Sequence, residues 1–156
     1  MYATEQEFEN HLRCLISTYI CANDQNVILL DSKKIADIVI SKNGDDPGLY
    51  FIEVKHLKSN MGRLGIGGIN GSGYQPEILT KRPDYLESNL RWAMYSEKHD
   101  ENNGIVFVTT EKLINSYLQG GQVGEKYNGI KQDIFIHETG LSDIEFISSI
   151  KKWLNC

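Results

Sequence analysis

The chain has 156 residues, 40% of them hydrophobic and 24% charged, with three prolines, a balance that supports one domain over residues 1–156 and excludes a disordered chain. Its formal net charge of −5 excludes indiscriminate binding to nucleic acid through overall charge, so any such surface has to be local. No apolar run approaches the roughly eighteen residues that span a bilayer, and the start of the chain lacks a basic-then-apolar signal pattern, so a soluble cytoplasmic protein is expected.

Thr4-Glu5-Gln6-Glu7 has the form of a capping box, and Phe8, Leu12, Leu15, Ile16 and Tyr19 follow at helical spacing. These predict a first helix over about residues 5–21, with Glu7 serving the cap. Asn26-Val-Ile-Leu-Leu30 reads as a short strand, and Asp31 as a turn residue leading towards the next one. Cys14, Cys21 and Cys156 match no Cys/His metal spacing and read as free thiols.

Residues 35–41 and 49–55 both alternate with period two, and Ser41-Lys-Asn-Gly-Asp-Asp-Pro-Gly48 between them carries the residues that permit a chain reversal. Ile35, Asp37 and Val39 share one face of the first strand; Leu49, Phe51, Glu53 and Lys55 share one face of the second. A symmetric hairpin centred near Asp45 sets Asp37 opposite Glu53, with Lys55 one step along. Like charges directly opposite destabilise a sheet unless a cation neutralises them. Two hard oxygen ligands a few ångströms apart suit Mg²⁺, which fills the rest of its shell with water and phosphate oxygens.

On these residues the hairpin resembles the catalytic core of the PD-(D/E)XK nuclease superfamily, with Asp37 matching the first acid and Glu53-Val54-Lys55 the E-x-K. It departs in having Ala36, not proline, before the first acid. The resemblance implies metal-dependent phosphodiester hydrolysis. Asp37, Glu53 and the Val54 carbonyl would hold Mg²⁺ or Mn²⁺, and Lys55 would act on the attacking water. It further implies an acid from the first helix: Phe8-Glu9 followed by Leu12 and Ile16 makes Glu9 the first candidate and Glu5 the second. Acids in a first helical turn also favour the helix dipole with no such role.

Residues 56–82 are the least regular stretch, with six of the fourteen glycines between Gly62 and Gly73 but no Gly-Lys-Ser/Thr to make a nucleotide-binding loop. Lys58, Arg63, Lys81 and Arg82 suit phosphate contacts, and Tyr74 and Gln75 a base or the site. Several branches of the resembled family carry a glutamine after the E-x-K, a place Gln75 would fill. From Lys55 to Arg91 there are six Lys/Arg against three Asp/Glu, so positive charge gathers just after the candidate site. The other reading of this stretch is a surface loop with no ligand.

Pro83 opens a predicted helix to about His99, with Tyr85, Leu86, Leu90, Ala93 and Met94 as its apolar stripe. Arg91, Trp92 and Tyr95 lie off the stripe and read as packing against a neighbour, or as a nucleic-acid stacking surface. Ile105-Val-Phe-Val108 is an apolar run typical of a buried strand, and Thr109-Thr110 opens a short helix through Leu118. Residues 133–136 read as a last strand. Ser142-Asp-Ile-Glu145 is a second capping box, opening an amphipathic helix through Ile147, Ile150 and Leu154. His56, beside Lys55, is expected to point to the opposite face.

The predicted order matches the αβββαβ core of the restriction-endonuclease-like fold, an α+β fold with a mixed central sheet flanked by helices. The function expected is a Mg²⁺- or Mn²⁺-dependent nuclease, DNA being the expected substrate, working as a homodimer or with a partner protein. The alternatives are a non-catalytic module of the same fold that binds nucleic acid or protein, and a small interaction protein engaging another chain through its Gly-rich loop and Trp92 face.

Overall fold

The computed structural model describes residues 1–31, 36–62, 64–66, 88–99, 104–119 and 129–156. Helix α1, Glu5–Ile16, starts where sequence predicts, because the Thr4 hydroxyl accepts the Glu7 N–H at 3.1 Å and the Glu7 carboxylate accepts the Ala3 N–H at 2.7 Å. It widens into a π-helical turn, Ser17–Cys21, before β1, Val27–Leu30. Strands β2, Ile38–Lys42, and β3, Gly48–Leu57, form the expected hairpin, turning at Gly44 with φ of 100°. Their register pairs Ile38 with Ile52, and one further step sets Asp37 across from Glu53.

Beyond the hairpin lie β4 (Leu64–Gly65), β5 (Leu90–Ser96) and β6 (Val106–Thr109). Then follow α2 (Thr110–Lys112), running into a π-helix at Leu113–Tyr117, β7 (Leu118–Gln119), β8 (Gly129–Ile130), α3 (Ile134–His137) and α4 (Asp143–Leu154). The main sheet has the order β1-β2-β3-β5-β6, antiparallel at every step but β3 to β5, which is parallel. β4, β8 and β7 make a small antiparallel sheet.

This is a mixed α+β architecture, with helices against a central mixed sheet. On one face Ile38, Ile40, Ile52, Val54 and Ala93 meet Phe8, Leu12 and Ile16 of α1 and Phe146, Ile150 and Leu154 of α4. On the other, Val39, Phe51, Trp92, Met94 and Val108 pack with Leu113, Tyr117, Ile130, Ile134 and Phe135. The second capping box forms as expected: Ser142 accepts the Glu145 N–H and the Glu145 carboxylate accepts the Ser142 N–H at 2.8 Å.

Two expectations are overturned. The helix expected up to His99 is, over Leu90–Ser96, the central strand β5. Its residues are buried on both faces, so the polar alternation that marks a strand is missing, and Leu90, Ala93 and Met94 fall at helical spacing by coincidence. The strand expected at residues 133–136 is a single helical turn, in which Ile136 and His137 donate to the Asp133 carbonyl at 3.0 and 2.9 Å. Three apolar residues in a row carry no period, and Ile134 and Phe135 are buried while Ile136 faces solvent. Strand β2 also starts later than expected, at Ile38, so Asp37 stands just ahead of it.

Candidate active site

β3 has ten residues and β2 five, so β2 pairs only with the first half of β3. From Glu53 onward β3 keeps β5 as its neighbour on one edge, Glu53 opposite Trp92 through Leu57 opposite Ser96. On the other edge the N–H groups of alternate residues need partners once the ladder ends. Two carboxylates supply them. Asp37 Oδ2 accepts the Val54 N–H at 2.8 Å, and Glu5 Oε2, reaching from the first turn of α1, accepts the His56 N–H at 3.1 Å. In an extended strand the Val54 carbonyl points to the same edge as its N–H.

Between these two anchors the side chains of Glu53 and Lys55 project from β3. Lys55 Nζ donates to Glu53 Oε1 at 2.6 Å, and Glu53 is 4% exposed. Burial pushes the Glu53 carboxyl up to about 7, against the pull of Lys55, and the nearby charges of Asp37 and Glu5 push the same way. For Lys55 burial works downward, but the charge and hydrogen bond of Glu53, with Glu5 and Asp37 behind them, leave its pKa raised. Burial thus leads the Glu53 shift, while the Lys55 shift comes from its acidic neighbours: one ammonium group has three carboxylates, Glu53, Glu5 and Asp37, acting on it.

A divalent cation suits that excess of negative charge, and Asp37, Glu53 and the Val54 carbonyl are hard oxygen donors of the kind Mg²⁺ and Mn²⁺ take. Among the described residues no group of three or more His, Cys, Asp or Glu side chains is arranged to hold a metal ion.

Of the two helix acids, Glu5 reaches the open edge of β3. Glu9 is 6% exposed, with Oε1 at 2.7 Å from Arg13 Nε and Oε2 at 3.1 Å from Gln6 Nε2. Arg13 also donates, through Nη2, to the main-chain carbonyl of Asp37. Sequence reading passed over Arg13. The i,i+4 spacing from Glu9 predicts their ion pair, but the reach from helix to hairpin is a tertiary contact.

Lys58, just past β3, is half-buried. Arg63, Tyr74, Gln75, Lys81 and Arg82 lie outside the described residues. The His56 ring is on the opposite face, as expected, stacked on Tyr95 with centroids 5.6 Å apart and Nε2 3.4 Å from Glu97 Oε1. Trp92 is fully buried and donates from Nε1 to Thr110 Oγ1 at 3.0 Å, and Tyr95 is buried too, so both pack rather than offer a stacking surface. Arg91 lies 4.9 Å above the Trp153 ring of α4.

The fold and this edge define a mixed α+β protein with an acid- and lysine-lined strand edge, and among the described residues no helix is long and apolar enough to cross a membrane. Compared with models of known protein families and with curated protein sequences, the chain matches none.

Proposed function

We propose that the protein is a metal-dependent nuclease of the PD-(D/E)XK type on a restriction-endonuclease-like core, with DNA as its substrate. The observation that carries this reading is the convergence of Asp37, Glu53 and Lys55 where β2 leaves the edge of β3, with Glu53 buried and its pKa raised to about 7. The three-strand meander with a parallel fourth strand against β3 supports the core assignment.

In this reading Asp37, Glu53 and the Val54 carbonyl would hold Mg²⁺ or Mn²⁺. The chemistry such an ion supplies when bound is a lowered water pKa and neutralised charge on the scissile phosphate. Asp37, hydrogen-bonded to the Val54 N–H, holds residue 54 at this edge, and because the strand is extended the Val54 carbonyl points the same way. Glu53 is shielded from bulk water, which strengthens its interaction with any cation. Lys55, kept protonated by Glu53, orients the attacking water and donates to the anionic oxygens that develop on phosphorus. Lys58 contacts the phosphate backbone on one side, and with so small a chain a second copy or a partner protein completes the grip on the duplex.

The test is a nuclease assay on duplex and single-stranded DNA with Mg²⁺ or Mn²⁺, beside calorimetric titration of each ion. Cleavage is expected to fall by at least about a hundredfold in Lys55→Ala and Asp37→Asn, and ion binding to be lost in the second. Wild-type protein that neither binds the ions nor loses cleavage in Lys55→Ala refutes the proposal.

A second reading is favoured by one observation: Asp37 already holds Val54, and Glu53 already holds Lys55, so the acids satisfy neighbours without an ion. That suits a binding module of the same fold. Its nucleic-acid affinity would be the same with EDTA as with Mg²⁺ and indifferent to Asp37→Asn.

A further inference from the structure

The candidate site depends on where Asp37 stands, yet Asp37 precedes β2 and so lies outside the ladder that orients the rest of the hairpin. Its side chain is held by Oδ2 on the Val54 N–H. Its main chain is held from the neighbouring helix, by the Arg13 guanidinium of α1 on its carbonyl oxygen. Arg13 is itself fixed: its Nε is 2.7 Å from Glu9 Oε1, and the Glu9 side chain is 7% exposed. A guanidinium is planar and presents its N–H groups as a rigid fork, so anchoring Nε on Glu9 sets the direction in which Nη2 points. The chain of contacts Glu9, Arg13, Asp37 carbonyl, Asp37 carboxylate, Val54 N–H thus runs from a helix to the open edge of β3.

We propose that Arg13 is the positioning residue of this site and that Glu9 acts through it, not on the reacting atoms; this rests on the reading of Asp37 as a site carboxylate. Arg13 fixes the peptide that carries Asp37, and thereby the direction of its Cα–Cβ bond and the distance of its carboxylate from Val54. Preorganisation of this kind matters most when the carboxylate takes up a further partner, because the main-chain bond stays in place while the side chain adjusts.

The protein carries its own reporter of the contact. The Val54 N–H is protected by Asp37, and two residues along the same edge the His56 N–H is protected by Glu5, which the Arg13 contacts do not include. Amide exchange of both is measured by NMR in the protein alone, with Asp37→Ala setting the scale for loss of the Val54 bond. Arg13→Met, and Arg13→Gln, which is too short to span from Glu9 to the Asp37 carbonyl, are expected to speed Val54 exchange about tenfold and leave His56 unchanged. Glu9→Gln moves Val54 in the same direction by less, and adding it to Arg13→Met changes nothing further. Should Arg13→Met fail to fold, Arg13→Gln decides. Unaltered Val54 exchange in the folded Arg13 variants, or equal acceleration of Val54 and His56, overturns the proposal by making Arg13 a general tie between helix and sheet. The readout needs neither metal nor nucleic acid, so absence of nuclease activity in the wild type refutes the proposed function without touching this result.

Discussion

Glu53 is a carboxyl group whose burial and acidic neighbours move it from an ordinary 4.5 to about 7, so between these values the folded state holds a proton that the unfolded chain has released. The stability that protonated Glu53 contributes is therefore fully present below pH 4.5 and is lost as pH rises through about 7. Chemical denaturation at a series of pH values should show the unfolding free energy of wild type falling, relative to Glu53→Gln, by on the order of 1–3 kcal/mol across that window. Parallel curves for the two proteins would mean that Glu53 is not the group under strain. If Glu53 holds a cation as proposed, cation and proton compete for the same oxygens, and saturating Mg²⁺ should flatten the difference. Lys55 shifts the other way from what burial alone would bring, and its contribution is lost only at alkaline pH, above its ordinary 10.5.

At the scale of elements, the site exists because two paired strands differ in length. β3 overhangs β2 by half, and the overhang turns backbone donors into anchors for Asp37 and Glu5. Helices α1 and α4, packed on one face of the sheet, are each capped, that of α4 the more completely, with the Ser142 hydroxyl also 2.7 Å from Glu145 Oε2. Ser142→Ala should cost about 1 kcal/mol and lower the melting temperature by about 2–4 °C, measured calorimetrically, with Val54 and His56 protection intact. β5 is the element that composition disguised. Trp92, Ala93, Met94 and Tyr95 are all buried, because helices cover one face of the sheet and a second apolar layer the other. A strand under those conditions has no reason to alternate.

On the scale of the whole molecule, the start of α4 is fastened to the end of the sheet by a bridge in which Ile105 donates to the Leu141 carbonyl at 2.8 Å and Leu141 to the Ile105 carbonyl at 2.9 Å. Gly104 is what lets the two segments approach: a β-carbon there would stand 2.4 Å from the carbonyl carbon of Gly140. Gly104→Ala should break that bridge and cost about 1–3 kcal/mol by denaturant titration, with faster amide exchange at Ile105 and Leu141. By itself the sequence determined the capped helices at both ends, the meander of β1 to β3, the register that sets Asp37 against Glu53, and the grouping of Glu53 with Lys55. Each of these follows from neighbours in the chain: a cap three residues from its partner, a period of two, a turn of known composition. Only the tertiary structure decided that residues 90–96 form a central strand and residues 134–137 a helical turn. It likewise decided that Glu5 meets the β3 edge while Glu9 holds Arg13 against the Asp37 main chain. Those outcomes depend on which surfaces come to cover a segment and how far a side chain must reach across the fold, quantities that no local period encodes.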